Sequence, residues 1–137
     1  MKRWYLLASI AMFLMSCVSN KSQTTDTHAT NDGKLHIYYF HTAKRCPTCL
    51  AIEQATEQVL QTHYTQHLGD KIVYQSINLS DPQNATLANT YQVAWSSLIL
   101  HRDTLRIDLT QEAFAYARTE PERFQQLLCE HIQQLLP

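Results

Sequence analysis

The sequence feature that most constrains the fold is a pair of cysteines, Cys46 and Cys49, placed between an apolar run and an amphipathic one. Residues 35–40, LHIYYF, are β-branched and aromatic and predict a buried strand. Beyond the cysteines, apolar side chains recur at approximately helical spacing, and Gly69 predicts the stop of that helix. A strand that leads into CxxC at the mouth of a helix, inside a strand–helix–strand unit, is typical of a redox-active dithiol.

The rest of the pattern predicts the architecture of the domain. The further predicted elements are a strand at 71–79, a helix from 80 to about 91, strands at 96–101 and 105–109, and helices at 111–118 and 119–135. The first strand–helix–strand step implies a parallel pair with a right-handed crossover, and the two late strands imply an antiparallel hairpin. The sequence therefore predicts an α/β domain with a mixed four-stranded sheet and helices on both faces.

Residues 1–16 predict an export signal: two basic residues are followed by an apolar run that is shorter than the roughly 20 residues of a membrane-spanning helix. Cys17 stands where the run stops, and residues 14–17 resemble a bacterial lipobox, in which the cysteine is lipidated before cleavage. The alternative is an ordinary secretory signal with a chance cysteine. The lipobox predicts a protein anchored in the bacterial cell envelope, on the periplasmic side of the inner or outer membrane.

A polar stretch separates the predicted lipid from the domain. Residues 18–34 are rich in Ser, Thr, Asn and Asp and lack apolar periodicity, which predicts a flexible tether. The chain thus divides into a signal at 1–16, a lipidated cysteine with its tether at 17–34, and one domain at 35–137. Removing the signal leaves 9 of the 11 Lys and Arg residues against 12 Asp and Glu, which gives a net charge of −3. The sequence shows no basic patch and therefore does not predict nucleic-acid binding.

The position of Cys46 predicts an ionised thiol. The free N–H groups of a helix N-terminus favour negative charge, and Lys44 and Arg45 add positive charge beside it. Such settings lower the pKa of a cysteine from about 8.5 to roughly 3.5–7.5. Cys49 follows one turn later on the same side of the helix, so we expect it to resolve a mixed disulfide formed at Cys46.

From residue 35 onward, this order of elements resembles the thioredoxin superfamily, and the similarity of residues is sharp only in the CPTC motif at 46–49. More narrowly, YYFHTAKRCPTCLAIE is similar to a family of small bacterial thioredoxin-fold proteins named as subunits of nitrophenyl-compound nitroreductases. The resemblance implies a thioredoxin-like fold and a redox-active disulfide without a bound cofactor. It also implies partner proteins that offer thiols or disulfides, with a transmembrane thiol carrier as the source of electrons.

One departure from the superfamily pattern affects the site. Thioredoxin-like folds carry a cis-proline in the loop that faces the dithiol, whereas YQVAWSSLIL places Ser97, or alternatively Ser96, at that position. Since a cis bond without proline costs roughly 2.5–4 kcal/mol, the sequence predicts a trans bond. Trp95 lies beside this loop, either as a wall of a docking groove or as a core side chain.

The sequence also allows other uses of the same cysteines. A metal-binding or metal-delivery module would use Cys46, Cys49 and His41, although a metal site needs about four ligands. A binding subunit with a vestigial dithiol is a further alternative, whereas a structural staple is disfavoured because a four-residue loop closes little chain entropy. Cys129, on the last predicted helix, is expected to be a buried small hydrophobe.

Overall fold

The computed structural model describes residues 31–136, so the predicted signal, Cys17 and the tether up to residue 30 lie outside the described residues. The strands are β1 (Leu35–His41), β2 (Ile72–Asn78), β3 (Ser97–Arg102) and β4 (Leu105–Asp108). The α-helices are α1 (Pro47–His63), α2 (Ala85–Thr90), α3 (Thr110–Tyr116) and α4 (Pro121–Leu135). None of the helices within residues 31–136 has both the length and the apolar character needed to span a bilayer.

The four strands form one mixed sheet in the order β2-β1-β3-β4. β1 pairs with β2 in parallel, and it pairs with β3 antiparallel. β3 and β4 form the antiparallel hairpin that the late strands predicted. The predicted mixed four-stranded sheet is therefore confirmed, and β1, the strand that leads to the dithiol, lies inside it.

The two faces of the sheet bury two separate apolar clusters. Ile37 and Tyr39 point into the larger cluster, which α1, α3 and α4 cover, and Phe124 of α4 is fully buried there. Tyr38 and Phe40 point to the opposite face, which α2 and the residues after it cover. Fully burying such side chains stabilises a fold by about 1.5–3 kcal/mol each. The prediction of helices on both faces is confirmed.

The first helix is shorter than the sequence predicts, because α1 ends at His63 and not at Gly69. Tyr64 leaves the helical conformation with φ −128°, buries its ring, and donates its hydroxyl hydrogen to the Cys129 carbonyl oxygen at 3.3 Å. A 3-10 turn at Thr65–His67 follows. Gly69 has φ +81°, a conformation that glycine adopts at low cost, and it redirects the chain toward β2.

The start of the second helical segment matches its sequence signal. The Asp81 carboxylate accepts a hydrogen bond from the Gln83 N–H at 3.0 Å, and Pro82 occupies the first position of a 3-10 turn that continues into α2. Gln92 has φ +53° just after α2, so a non-glycine residue in the left-handed region ends the helical segment. These turns bring residues 93–97 to the edge of the sheet where β1 ends.

A chain of polar side chains crosses the face of the sheet that α2 covers. The Asp32 carboxylate contacts His36 Nε2 at 2.9 Å, and His36 Nδ1 lies 3.0 Å from the Tyr38 hydroxyl. The Tyr91 hydroxyl lies 3.0 Å from His101 Nδ1, and the Tyr38 and Tyr91 rings are 5.0 Å apart. Burial holds the pKa of His101 below its ordinary value of 6.5.

This lowered pKa predicts a pH-dependent stability. The unfolded chain takes up a proton at position 101 more readily than the folded protein, so the free energy of unfolding should decrease as the pH falls below about 6.5. His101→Gln removes this titration, and the stability loss between about pH 7.5 and about pH 5.5 should become smaller. Urea unfolding at the two pH values measures the difference, with His63→Gln at the exposed end of α1 as the control. An unchanged slope in His101→Gln would contradict the prediction.

Candidate dithiol site

Cys46 is the N-cap of α1, and its sulfur takes the place of a capping oxygen. The residue has extended backbone angles, φ −79° and ψ 160°, and its Sγ accepts a hydrogen bond from the Cys49 N–H at 3.0 Å. Pro47 follows at the start of the helix, where its missing N–H leaves no donor unpaired. An N-terminal helix end that directs N–H groups at a sulfur stabilises negative charge on it.

Cys46 and Cys49 form a disulfide, with their Cα atoms 5.0 Å apart. The two residues differ in exposure: Cys46 is exposed, whereas Cys49 is only 6% exposed. A partner molecule can therefore reach the Cys46 side of the bond first. The predicted roles, in which Cys46 attacks and Cys49 resolves, stay a prediction.

Tyr39 fixes the first turn of α1 to the sheet. Its hydroxyl donates a hydrogen bond of 2.8 Å to the Cys49 carbonyl oxygen, and the side chain is completely buried. Burial raises the pKa of Tyr39 above its ordinary value, so the hydroxyl keeps its proton. The sequence did not indicate this role, because Tyr39 is one of several aromatic residues in a strand whose facing partners were unknown.

The two predicted cations are placed differently. The Arg45 guanidinium pairs with the Glu53 carboxylate at 2.5 Å and lies 5.6 Å from the centre of the Tyr39 ring. Burial alone would raise the pKa of Glu53, but hydrogen bonds from Ser76 and Arg45 outweigh it and hold the pKa below its ordinary value. Lys44 is exposed, so water and salt screen its charge. The charge of Arg45 is thus compensated by a carboxylate, which the positions of the two residues in the sequence do not indicate.

The loop that faces the dithiol carries no proline and no cis bond. All peptide bonds within residues 31–136 are trans, as predicted for this loop. Ser96 Oγ lies 3.9 Å from Cys49 Sγ, and both side chains are buried. The Ser97 hydroxyl instead donates to the Trp95 carbonyl oxygen at 3.0 Å. Of the two serines that the sequence left as alternatives, Ser96 is the one that meets the sulfur.

A groove of about 490 Å³ opens beside the buried sulfur. Besides Cys49 and Ser96, it is lined by Thr42, Trp95, Thr110, Gln111 and Phe114. Trp95 is 70% exposed, so it forms a wall of this groove, and the alternative of a core tryptophan is wrong. The contribution of α3 was missed, since nothing in its sequence shows that its first turn approaches the dithiol.

The alternative metal set is not assembled here. His41 Nδ1 lies 3.1 Å from the Thr42 carbonyl oxygen, and no three His, Cys, Asp or Glu side chains of residues 31–136 are arranged to hold a metal ion. Cys129 lies away from this site, in a second groove beside Tyr64. It is partly exposed and not buried as expected, although partial burial still raises the pKa of its thiol.

Comparisons with known proteins agree with this architecture. No family model matches the chain, and no curated protein matches its sequence. Among solved structures, it is similar to Trxlp from Edwardsiella tarda EIB202, with 18% identity, a TM-score of 0.50, and coverage of 78% of this chain and 93% of that one. It is also similar to the germline-specific thioredoxin Deadhead from Drosophila melanogaster, with 17% identity, a TM-score of 0.50, and coverage of 77% and 85%.

Identities this low show the fold alone. The chain is a thioredoxin-fold protein that carries a CxxC disulfide at the mouth of its first helix. The predicted thioredoxin-like fold is confirmed, and the resemblance to the superfamily is confirmed at the level of the fold. The narrower similarity to nitrophenyl-compound nitroreductase subunits stays a prediction.

The Arg45–Glu53 pair should be energetically coupled, because both side chains are mostly buried. We expect Arg45→Ala, Glu53→Ala and the double variant to give a coupling free energy of about 1 kcal/mol in urea unfolding of the oxidised protein. The exposed pair Arg123–Glu120 at the start of α4 is the matched control, with an expected coupling of only a few tenths of a kcal/mol. Additive effects at Arg45 and Glu53 would contradict the prediction.

Proposed function

We propose that this protein is a thiol–disulfide oxidoreductase that exchanges electrons with partner proteins through Cys46 and Cys49. The observation that carries the proposal is a disulfide with one exposed sulfur, at a helix N-terminus, and one buried sulfur behind it. The thioredoxin fold supports it, because that fold presents both sulfurs at the end of a buried strand. Cys46 is the more exposed residue of the pair, so a second protein reaches it first.

In the reduced protein, the first step belongs to Cys46. Its thiolate attacks one sulfur of a partner disulfide, a bond forms between Cys46 and that sulfur, and the other partner sulfur leaves as a thiolate that takes up a proton from solvent. The Cys49 N–H at 3.0 Å and the positive end of α1 stabilise the attacking thiolate before the step.

The second step belongs to Cys49. Its thiolate attacks Cys46 Sγ, the mixed disulfide breaks, and the second partner sulfur leaves. Two electrons pass to the partner, and the Cys46–Cys49 disulfide present in the structure is regenerated. A dithiol protein returns the protein to its reduced state by the same steps in reverse, and a transmembrane thiol carrier would supply these electrons outside the cytosol.

The groove beside Cys49 gives the partner segment a place to lie. Trp95 and Phe114 are the large apolar side chains exposed there, and Thr110 and Gln111 add polar groups without charge. An aromatic side chain contributes apolar contact area while its ring loses few degrees of freedom. Trp95 is therefore proposed as a docking residue, and Lys44 and Arg45 remain candidates for tuning the site.

The N-terminal residues support a location in the bacterial cell envelope. We propose that Cys17 is lipidated and that residues 17–34 tether the domain to the periplasmic side of the inner or outer membrane. Several acyl chains on one residue give stable anchoring, whereas one chain gives only marginal binding.

The exchange mechanism predicts opposite results at the two cysteines. In an insulin-reduction assay with dithiothreitol as donor, Cys46→Ser should fall to the uncatalysed rate, because the attacking sulfur is lost. Cys49→Ser should trap partner proteins as mixed disulfides that dithiothreitol releases, visible on non-reducing gels of envelope fractions. Cys129→Ser is the matched control and should keep the wild-type rate. Catalysis that survives in Cys46→Ser would contradict the proposal.

Lipidation is tested at Cys17. Wild-type protein expressed in bacteria should incorporate labelled palmitate and sediment with membranes. Cys17→Ser should lose the label and appear in the soluble fraction, whereas Cys129→Ser should behave as wild type. A Cys17→Ser variant that still carries the label would show that the lipobox interpretation is wrong.

A further inference from the structure

The resolving step requires a negative charge on Cys49, where the surroundings oppose it. The side chain is 6% exposed, and a thiolate withdrawn from water is less stable than one in solution. The helix N-terminus does not compensate directly, because the Cys49 N–H is directed at Cys46 Sγ. A hydrogen bond donated to the Cys49 thiolate would stabilise it and offset the effect of burial.

Ser96 is placed to make that hydrogen bond. Among residues 31–136, its Oγ is the side-chain polar atom within hydrogen-bonding distance of Cys49 Sγ, at 3.9 Å. Neighbouring hydroxyls have other acceptors: Ser97 donates to the Trp95 carbonyl oxygen, and Tyr39 donates to the Cys49 carbonyl oxygen. A proline in this loop, as thioredoxin-like folds carry it, has no hydroxyl to offer.

We propose that Ser96 is a catalytic residue of the second step, which donates its hydroxyl hydrogen to the Cys49 thiolate. This assignment rests on the proposed oxidoreductase function. Once the mixed disulfide has formed at Cys46, the Cys49 thiol gives its proton to solvent, and the Ser96 O–H stabilises the remaining charge. Cys49 Sγ then attacks Cys46 Sγ, the Cys46–partner bond breaks, and the partner sulfur leaves with the electron pair.

The two steps can be timed separately with Ellman's reagent, 5,5′-dithiobis(2-nitrobenzoic acid), in a stopped-flow instrument. Attack by Cys46 releases one thionitrobenzoate, and resolution by Cys49 releases the second. The oxidised protein reacts only through its other thiols and supplies the blank. The variants are Ser96→Ala, Ser96→Thr and the control Ser80→Ala, whose hydroxyl accepts the Ala43 N–H in the loop before Cys46 and does not meet either sulfur.

We expect Ser96→Ala to keep the first phase and to slow the second roughly ten- to a hundredfold, as for the loss of a hydrogen bond to a charged group. The pH midpoint of the second phase should rise. Ser96→Thr should restore both, since it keeps the hydroxyl, and Ser80→Ala should match the wild type. A merely structural effect of Ser96→Ala would slow both phases and leave the pH midpoint in place.

Two results would overturn the assignment: an unchanged second phase in Ser96→Ala, or a Ser96→Thr variant as slow as Ser96→Ala. Circular dichroism of each variant checks that it is folded. Failure of the proposed function has a different signature, because the wild-type first phase would then be as slow as that of an ordinary free thiol. Raising the reagent concentration accelerates the bimolecular first step and not the unimolecular second step, so the second phase can be compared among the Ser96 variants even where the attacking thiol is slow.

Discussion

The structure depends on one central strand that is buried from both sides. Every residue from Leu35 to Phe40 is buried, which is possible only because β2 and β3 flank β1 while helices cover both faces. A strand in this position has little freedom to shift, since sliding it by one residue would exchange the two apolar clusters. The chain leaves this fixed strand at His41 and reaches the dithiol five residues later, so the sheet determines where the sulfurs lie.

The proposed exchange reaction places two opposing requirements on a single turn of helix. The attacking sulfur must meet solvent and partner, and the N-cap position of Cys46 provides both access and N–H donors. The resolving sulfur must stay within bonding distance but be shielded from outside reagents, and one helical turn places Cys49 there. The Tyr39 hydroxyl donates a hydrogen bond to the backbone of this turn, and Ser96 contacts the sulfur of Cys49. In the proposed reaction, the sulfur of the buried Cys49 must carry a negative charge, which burial opposes.

Much of this could be predicted from the sequence where the signals are local. Periodicity and caps located the strands and the start of α1, and the spacing of Cys46 and Cys49 indicated their pairing. The missed features are contacts that the spacing of residues along the chain does not specify. Arg45 was predicted to act on Cys46, but its partner Glu53 lies two turns along α1, and no rule of spacing selects it over solvent. The approach of α3 to the sulfur likewise follows from the packing of the whole helical layer.

The end of α1 also depended on tertiary structure. Gly69 is a stop signal in the sequence, yet the helix ends earlier, at the point where Tyr64 leaves the helical conformation and buries its ring. The end of this helix depends on what packs against Tyr64, which is α4, a helix that lies far along the chain. Local helix propensity predicts the end of a helix poorly where tertiary packing buries a large side chain.

The cap of α1 is itself the redox-active atom, and this links chemistry to helix stability. The Cys49 N–H is paired with a disulfide sulfur in the oxidised protein, and a thiolate at the same position is a stronger acceptor for it. In the proposed exchange reaction, each change of oxidation state would therefore strengthen or weaken the hydrogen bond that caps the first turn of the helix. Amide hydrogen exchange at the opening residues of α1 should accordingly be slower in the reduced protein, which would let a backbone amide report the oxidation state of the sulfurs.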